Sequence, residues 1–227
     1  MAGLATGLGA IPVLLGGRLS HRWFDGIVGF AAGAMLAISG NELAAASDGG
    51  RLSTLAVAAA GGMAVLAIRA LPSIAGPRGL RWLGRGQRVA LMVTLHNLVE
   101  GLMVVATYAR SGPTVGVGVA LAIAAHNVPE GLAVAEPLRR AGLSAWRSVG
   151  LATLSGLAEP LGAVMALAVL GPVLPPATGG ALAAGAMIVL AAIELIPEAF
   201  SHSFVAEASI GLLGGIVVAL GLLGGPG

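Results

Sequence analysis

The chain has 227 residues, of which 57% are hydrophobic and only 10% are charged. Soluble domains carry roughly 25% charged residues, so this composition indicates a protein surrounded largely by lipid. The absence of cysteine excludes disulfides, thiolate metal ligands and thiol catalysis. The net charge is +2, all the basic residues are arginine, and no basic stretch alternates with aromatic residues. A nucleic-acid partner is therefore not expected.

Eight apolar segments follow one another along the chain, at about 2–17, 26–46, 52–71, 88–109, 114–138, 147–170, 178–199 and 205–224. A bilayer core about 30 Å thick takes roughly 20 helical residues, so the first segment is short and the fifth is long enough to tilt or kink. The predicted fold is all-α, a single polytopic membrane domain over residues 1–227 with a basic loop at about 72–88. The N-terminus has no basic n-region, so we interpret it as a first membrane helix. The 37 glycines permit close helix packing and a homodimer, without specifying one.

Arginine is distributed unequally between the two sides of the predicted membrane protein. The junctions after the first, third and fifth segments hold ten of the twelve arginines, and the opposite junctions hold Arg51 and Arg110. Cytoplasmic loops are enriched in arginine and lysine, so the arginine-rich side is predicted to be cytoplasmic. Eight segments then place both termini outside.

Polar side chains lie near the middle of the fourth, fifth and sixth segments. A carboxylate at the centre of a membrane helix costs roughly 2.5–3.5 kcal/mol, and no arginine lies at this depth to offset it. The remaining partners are a proton, a cation or water in a cavity. The residues are His96, Asn97 and Glu100, then His126, Asn127 and Glu130, then Glu159.

The spacing of these residues predicts a metal site. His96 and Glu100 are four residues apart, as are His126 and Glu130, so each pair shares one helix face. Imidazole with carboxylate suits zinc, iron, manganese, cobalt or nickel, whereas calcium and magnesium favour all-oxygen ligands. A single His or Asn could instead form an interhelical hydrogen bond, and a single Glu could be a protonated structural group.

Two prolines follow the polar positions closely. Pro129 removes a backbone hydrogen bond near residue 125, and Pro160 removes one near residue 156. Irregular backbone at membrane depth is tolerated where it lines a cavity, and it is common at transporter substrate sites.

Further candidates lie on the second and seventh segments. Met35 is a soft ligand or a packing residue, and Glu42 is a surface charge or part of an entrance. Glu194 and Glu198 lie in the cytoplasmic half of the seventh segment. Glu198 and His202 have the four-residue spacing again, at or past the helix end, which suggests an exit-side metal site.

Three stretches, HNLVEGL, HNVPEGLAVAEPL and SGLAEPLGA, resemble helices 4, 5 and 6 of the ZIP (Zrt/Irt-like protein) metal transporters. GFAAGAMLA in the second segment resembles the prokaryotic GufA-like branch, and the resemblance spans about residues 5–224. It implies eight helices with both termini outside, with helices 1–3 and 6–8 as inverted repeats around helices 4 and 5. It also implies uptake of zinc, or of Fe²⁺, Mn²⁺, Cd²⁺ or Co²⁺, across a bacterial inner membrane by alternating access.

The resemblance further implies a binuclear site. The ligands would be His96, Glu100, His126 and Glu130 for the first metal, with Met35 in addition, and Asn97, Asn127 and Glu159 for the second, with Glu100 and Glu130 bridging. Glu194 falls on the family's exit path, which Glu198 and His202 would extend. The chain departs from many relatives at Val99, where they have proline, and from some at Asn127, where they have aspartate. The amide makes the second site less anionic.

Two alternatives remain open from the residues alone. A proton-coupled metal exchanger or exporter would use the same ligands, so direction rests on the resemblance. An intramembrane metalloenzyme would need H-E-x-x-H, or E-x-x-H in a di-iron bundle, and the two midplane motifs read H-N-x-x-E instead.

Overall fold

The computed structural model describes residues 2–16, 19–47, 50–70 and 85–224. Within these ranges every secondary-structure element is helical, which confirms the predicted all-α class. The predicted loop at 72–88 lies outside the described residues up to 84, and a helix already begins at Arg85.

The helices have the following bounds, in chain order: α1 Ala2–Ala10, continued by a 3₁₀ segment Ile11–Leu15; α2 His21–Ala46; α3 Arg51–Ala70; α4 Arg85–Arg140; α5 Ala145–Gly156; α6 Ala158–Met165, continued by a π segment Ala166–Leu170; α7 Pro176–Leu190, continued by a π segment Ala191–Leu195 and by α8 Ile196–Ala199; and α9 Val205–Leu223.

Six helical stretches in the described residues are long and apolar enough to cross a membrane: His21–Ala46, Arg51–Ala70, Leu91–Arg140, Ala145–Val169, Pro176–Ala199 and Val205–Leu223. The stretch Ala2–Leu15 is apolar but shorter. Large apolar side chains such as Leu52, Leu213 and Val217 are 84%, 62% and 69% exposed, as expected where lipid replaces water.

Helix α4 comprises the predicted fourth and fifth segments, which are two helices that meet at a kink. Its 56 residues would extend about 84 Å if straight, far beyond a bilayer core. Gly112 interrupts it with φ 80° and ψ −178°, a conformation that glycine adopts without steric cost. We call residues 85–111 the first arm and residues 113–140 the second arm. Contacts between residues on either side of Gly112, described below, fold the arms against each other.

The two prolines have different effects on the backbone. The helix breaks at Leu157 between α5 and α6, three residues before Pro160, which confirms the irregularity predicted near residue 156. Inside α4, however, only Gly112 has non-helical backbone angles. The second arm keeps helical backbone angles through Pro129, and a bend at the lost hydrogen bond stays a prediction.

Glycines set how closely the helices meet around α4. A side chain at Gly131 of the second arm would overlap the backbone of Thr6 in α1, and one at Gly101 of the first arm would overlap that of Glu159 in α6. Small residues permit such close contact in membranes. Each arm is thus held by a neighbouring helix at the level of its polar motif.

Candidate metal site

Four buried side chains of α4 converge between its arms. His96 and Glu100 come from the first arm, and His126 and Glu130 come from the second. One donor atom from each residue lies within 4.8 Å of the others, and none of the four is more than 1% exposed. The two motifs therefore bring four potential ligands together, and their role as metal ligands remains a prediction.

Glu100 is the central acceptor of this cluster. Its Oε1 atom lies 2.5 Å from His126 Nε2 and 3.1 Å from His96 Nε2. The imidazole centroids are 6.3 Å apart with their planes inclined by 66°. Both rings thus present Nε2 toward the space between the carboxylates, as metal-ligating imidazoles do.

The carboxylate of Glu130 has different surroundings from that of Glu100. Its Oε1 atom lies 3.6 Å from His96 Nε2, too far for a hydrogen bond. Both of its oxygens, and Glu100 Oε2, have no hydrogen-bond partner among the described residues. A buried charge is costly unless it is paired or coordinates a metal, so this carboxylate is suited to a cation ligated jointly with the two imidazoles.

A second group of oxygen atoms adjoins the first. Asn127 Nδ2 donates to Glu159 Oε2 at 3.1 Å, and Asn97 Nδ2 donates to the carbonyl of Val93 at 2.9 Å. The amide nitrogens are thereby satisfied, whereas both amide Oδ1 atoms have no partner in the described part of the chain. The structure thus places Asn127 beside Glu159 and leaves acceptor oxygens, which are suitable ligands for a cation.

A family model described as ZIP zinc transporter matches residues 79–223. The chain is also 39% identical to zinc transporter GufA of Myxococcus xanthus, over 97% of this chain and 94% of the relative. It belongs to the ZIP family. The zinc transporters ZupT of Corynebacterium glutamicum and ZIPB of Bordetella bronchiseptica are 35% and 36% identical to it. These matches cover 98% of this chain and 95% of ZupT, and 94% of this chain and 75% of ZIPB.

Membership of the ZIP family confirms the resemblance drawn from the three motifs. It also agrees with the apolar helices in identifying a multi-pass integral membrane protein. The relatives named above are transporters, and the metal in their names is zinc.

Met35 lies fully buried on α2. It belongs to an apolar cluster with Met103, Ile123 and Met187. These contacts account for its burial by packing alone, and its role as a metal ligand remains a prediction.

The three predicted exit-path residues lie in two different settings. Glu194 accepts a hydrogen bond from Arg69 Nη1 at 3.2 Å. Helix α8 ends at Ala199, so His202 lies beyond it and does not share a helix face with Glu198. Glu198 and His202 do line a common cavity of about 250 Å³.

Sequence analysis missed the partner of His202, which is Asp25 in the first turns of α2. Their Nδ1 and Oδ1 atoms are 2.8 Å apart, and Asp25 is fully buried. It also left Glu42 open as a surface charge, an interpretation that its 1% exposure rules out. The Met35–Glu42 separation of seven residues, two helical turns, could have indicated that Glu42 shares the buried face.

Proposed function

We propose that this ZIP family protein carries divalent transition-metal ions across the membrane through the site formed by His96, Glu100, His126 and Glu130. The observation that supports it is the carboxylate of Glu130, which is fully buried, faces an imidazole and has no hydrogen-bond partner in the described residues. A transported dication would supply the missing partner for the duration of its passage. Zinc is the expected cargo, with Fe²⁺, Mn²⁺, Cd²⁺ and Co²⁺ as further candidates, since two nitrogens and two carboxylates suit these borderline ions.

The binuclear arrangement is part of this proposal. Asn97, Asn127 and Glu159 would hold a second ion, with Glu100 and Glu130 bridging the two. The unpartnered amide oxygens of both asparagines and the unpartnered Glu100 Oε2 support it. Because amides carry no charge, the second ion would bind more weakly than the first.

We further propose eight membrane segments, counting the two arms of α4 separately and including the short stretch Ala2–Leu15. A straight α4 is too long for a bilayer, whereas each arm of 27 or 28 residues spans about 40 Å and can cross one with some tilt. Residues 1–227 would then act as one transport domain.

An inverted repeat of helices 1–3 and 6–8 is supported by matched helix crossings. Gly9 approaches the backbone of Val128 in the second arm, and Gly162 approaches that of Leu98 in the first arm. Gly9 and Gly162 differ by 153 positions, and so do Thr6 and Glu159, which meet the arms at Gly131 and Gly101. Constant offsets between crossings are what a repeated unit produces.

The other pair of crossings follows the same rule. Gly33 of α2 approaches the backbone of Leu212 in α9, and Gly185 of α7 approaches that of Ala58 in α3. Gly33 and Gly185 differ by 152 positions, and Ala58 and Leu212 differ by 154. The second and third segments therefore correspond to the seventh and eighth, around the two arms of α4.

The arginine distribution supports the membrane orientation, and uptake as the direction rests on membership of the ZIP family. With the ends of α3 and α4 in the cytoplasm of a bacterium and both termini outside the inner membrane, the ion would enter from the side where α2 ends. It would leave past Glu194, Glu198 and His202. Rearrangement of the helix groups around the fixed midplane ligands would expose the site to each side in turn.

Zinc flux into sealed proteoliposomes holding a zinc-sensitive dye tests the proposal. The purified protein should admit zinc faster than protein-free vesicles, and the Glu100→Ala, Glu130→Ala double variant should match those vesicles. Metal release from loaded vesicles driven by a proton gradient, without uptake, would favour the exporter. A variant as fast as the wild type would refute the site.

A further inference from the structure

Glu42, near the end of α2, is a second buried carboxylate site away from the midplane cluster. Its Oε2 atom lies 2.7 Å from Thr107 Oγ1 and 3.0 Å from Arg110 Nη2, both on the first arm of α4. Its Oε1 atom has no hydrogen-bond partner in the described part of the chain. A side chain at Gly180 of α7 would overlap this carboxylate, so the three helices leave a space that the carboxylate occupies.

Glu42 lies in line with the midplane site. Thr107 follows Glu100 by seven residues and Glu42 follows Met35 by seven. Seven residues are two helical turns, about 10 Å along the axis and on the same face. Glu42 and Thr107 therefore form the next polar level toward the proposed outer side.

A layer of mainly apolar side chains occupies the two turns between these levels, with the buried hydroxyl of Ser39 among them. Ile38, Met103 and Ile123 are at most 1% exposed and belong to one buried cluster with Met35. Because this layer is closed, the path from Glu42 to the midplane ligands is shut in this structure. An ion captured at Glu42 would wait there until the helices rearrange.

Arg110 supplies the positive charge that Glu42 requires in the closed arrangement. Besides Glu42, it donates from Nη1 to the carbonyl of Ala45 at 3.0 Å. The guanidinium thus lies among a carboxylate, a backbone carbonyl and a hydroxyl, which are all oxygen ligands that a divalent cation could use.

Thr107 can change its hydrogen bond without losing one. Its Oγ1 atom lies 2.9 Å from the carbonyl of Met103 as well as 2.7 Å from Glu42, and its single proton can go to either oxygen. If a cation displaced Arg110, the hydroxyl could donate to Met103 and turn a lone pair toward the ion.

The internal repeat places a matching carboxylate on the opposite side. Glu194 lies 152 positions after Glu42, the offset that relates Gly33 to Gly185, and it is bound by Arg69. One carboxylate held by one arginine therefore lies on each side of the midplane site. The two carboxylates are related by the repeat offset, whereas their arginines come from different helices, α4 for Glu42 and α3 for Glu194.

We propose that Glu42, assisted by Thr107, is the outer capture site for the divalent cation, and that Arg110 replaces the cation on Glu42 when the outer side is closed. This inference rests on the proposed transport function and on its direction. Arriving metal and Arg110 compete for one carboxylate, so the two residues have opposite effects on capture.

Initial rates of zinc uptake against external zinc, in proteoliposomes, test this competition. Glu42→Gln should raise KM about tenfold or more, the order of the loss when a metal site loses a supporting group, and change kcat less. Arg110→Gln should lower KM, because the competitor is gone. A merely structural ion pair predicts that both variants shift KM in the same direction.

Two further variants make the test decisive. Glu207→Gln breaks an arginine–carboxylate pair with Arg22 outside the proposed path and should leave KM unchanged. Arg110→Lys, which cannot bridge Glu42 and Ala45 as the guanidinium fork does, decides the question if Arg110→Gln does not fold. A wild-type KM in Glu42→Gln, or a raised KM in the Arg110 variants, overturns the proposal. Absence of uptake by the wild type would refute the transport function instead.

Discussion

His126 Nε2 lies 2.5 Å from Glu100 Oε1, joining the two arms of α4 across 26 residues of sequence. His96 contacts the same oxygen from one turn earlier on the first arm, while Glu130 has no hydrogen-bond partner among the described residues. The two glutamates of the repeated motif are therefore not equivalent. Glu100 holds the metal-free site together, and Glu130 is available to the incoming ion.

This difference predicts opposite stability effects for two variants that both lose transport. Glu100→Gln should lower the thermal unfolding midpoint of the metal-free protein in detergent. The free energy of unfolding should fall by about 1–3 kcal/mol, because two buried imidazoles lose a charged hydrogen-bond acceptor. Glu130→Gln should leave the midpoint unchanged or raise it, since it removes a buried carboxyl group that has no hydrogen-bond partner among the described residues.

The measurement is thermal unfolding with and without zinc. Wild type should gain stability with zinc by mass action, and neither variant should gain as much. Equal destabilisation by the two substitutions would contradict the unequal roles assigned to Glu100 and Glu130.

Replacing one nitrogen ligand should change metal preference. His126→Gln offers an amide oxygen where the imidazole nitrogen was, and oxygen ligands favour manganese over zinc. We expect the ratio of manganese to zinc uptake to rise, measured by competition in the same vesicles. An unaltered ratio would show that His126 does not ligate the transported ion.

The proposed second metal site should be strengthened by replacing one amide nitrogen with oxygen. Asn127→Asp places a second carboxylate beside Glu159, where the amide now donates at 3.1 Å. Without an ion the two carboxylates would repel each other, so the affinity of this position for a metal ion should rise. We expect zinc bound per protein, by elemental analysis after dialysis, to rise from about one toward two; Asn127→Ala is the control that removes the amide without adding charge. A ratio unchanged in Asn127→Asp would argue against a second ion at this position.

Close helix contact at Gly131 should be indispensable for the site. Gly131→Ala inserts a methyl group against the backbone of Thr6, and such overpacking costs typically about 1–3 kcal/mol. Both the unfolding midpoint and zinc uptake should fall. Gly150→Ala on α5, where nothing lies within 4 Å of the added methyl, is the matched control and should retain both. Loss of uptake in both variants would show that the effect is general to helical glycines.

The proposed orientation can be tested by thiol labelling, because the chain has no cysteine of its own. Arg51→Cys, at the first residue of α3, should react with an impermeant maleimide added outside spheroplasts. Ala141→Cys, between α4 and α5, should react only after permeabilisation, and both positions are exposed. The reverse pattern would invert the direction of transport.

The metal ligands could be predicted from sequence because their chemistry has no other place in a membrane. A histidine and a glutamate lie four residues apart on each of two apolar segments. Burying these polar side chains in a membrane costs free energy unless they bind a partner. The helical period then placed each pair on one face, and the structure brought all four donors together. The break beside Pro160 was predictable for a similar local reason, since proline removes a backbone hydrogen bond.

Other features depended on contacts between segments. Pro129 was expected to disturb its helix, yet the second arm stays helical, and the interruption occurs at Gly112 instead. Which hydrogen bond a proline removes is a local property, but whether the helix bends there also depends on the neighbouring helices.

The sequence by itself determined the membrane class, the helical fold and the four candidate ligands, because hydropathy, helical period and residue chemistry are local properties. Only the tertiary structure decided that Glu100 is satisfied while Glu130 is not, that Asp25 pairs with His202, and that Glu42 is buried against Thr107 and Arg110. These relationships join residues 26 to 177 positions apart, and the helix crossings that bring them together set their distances.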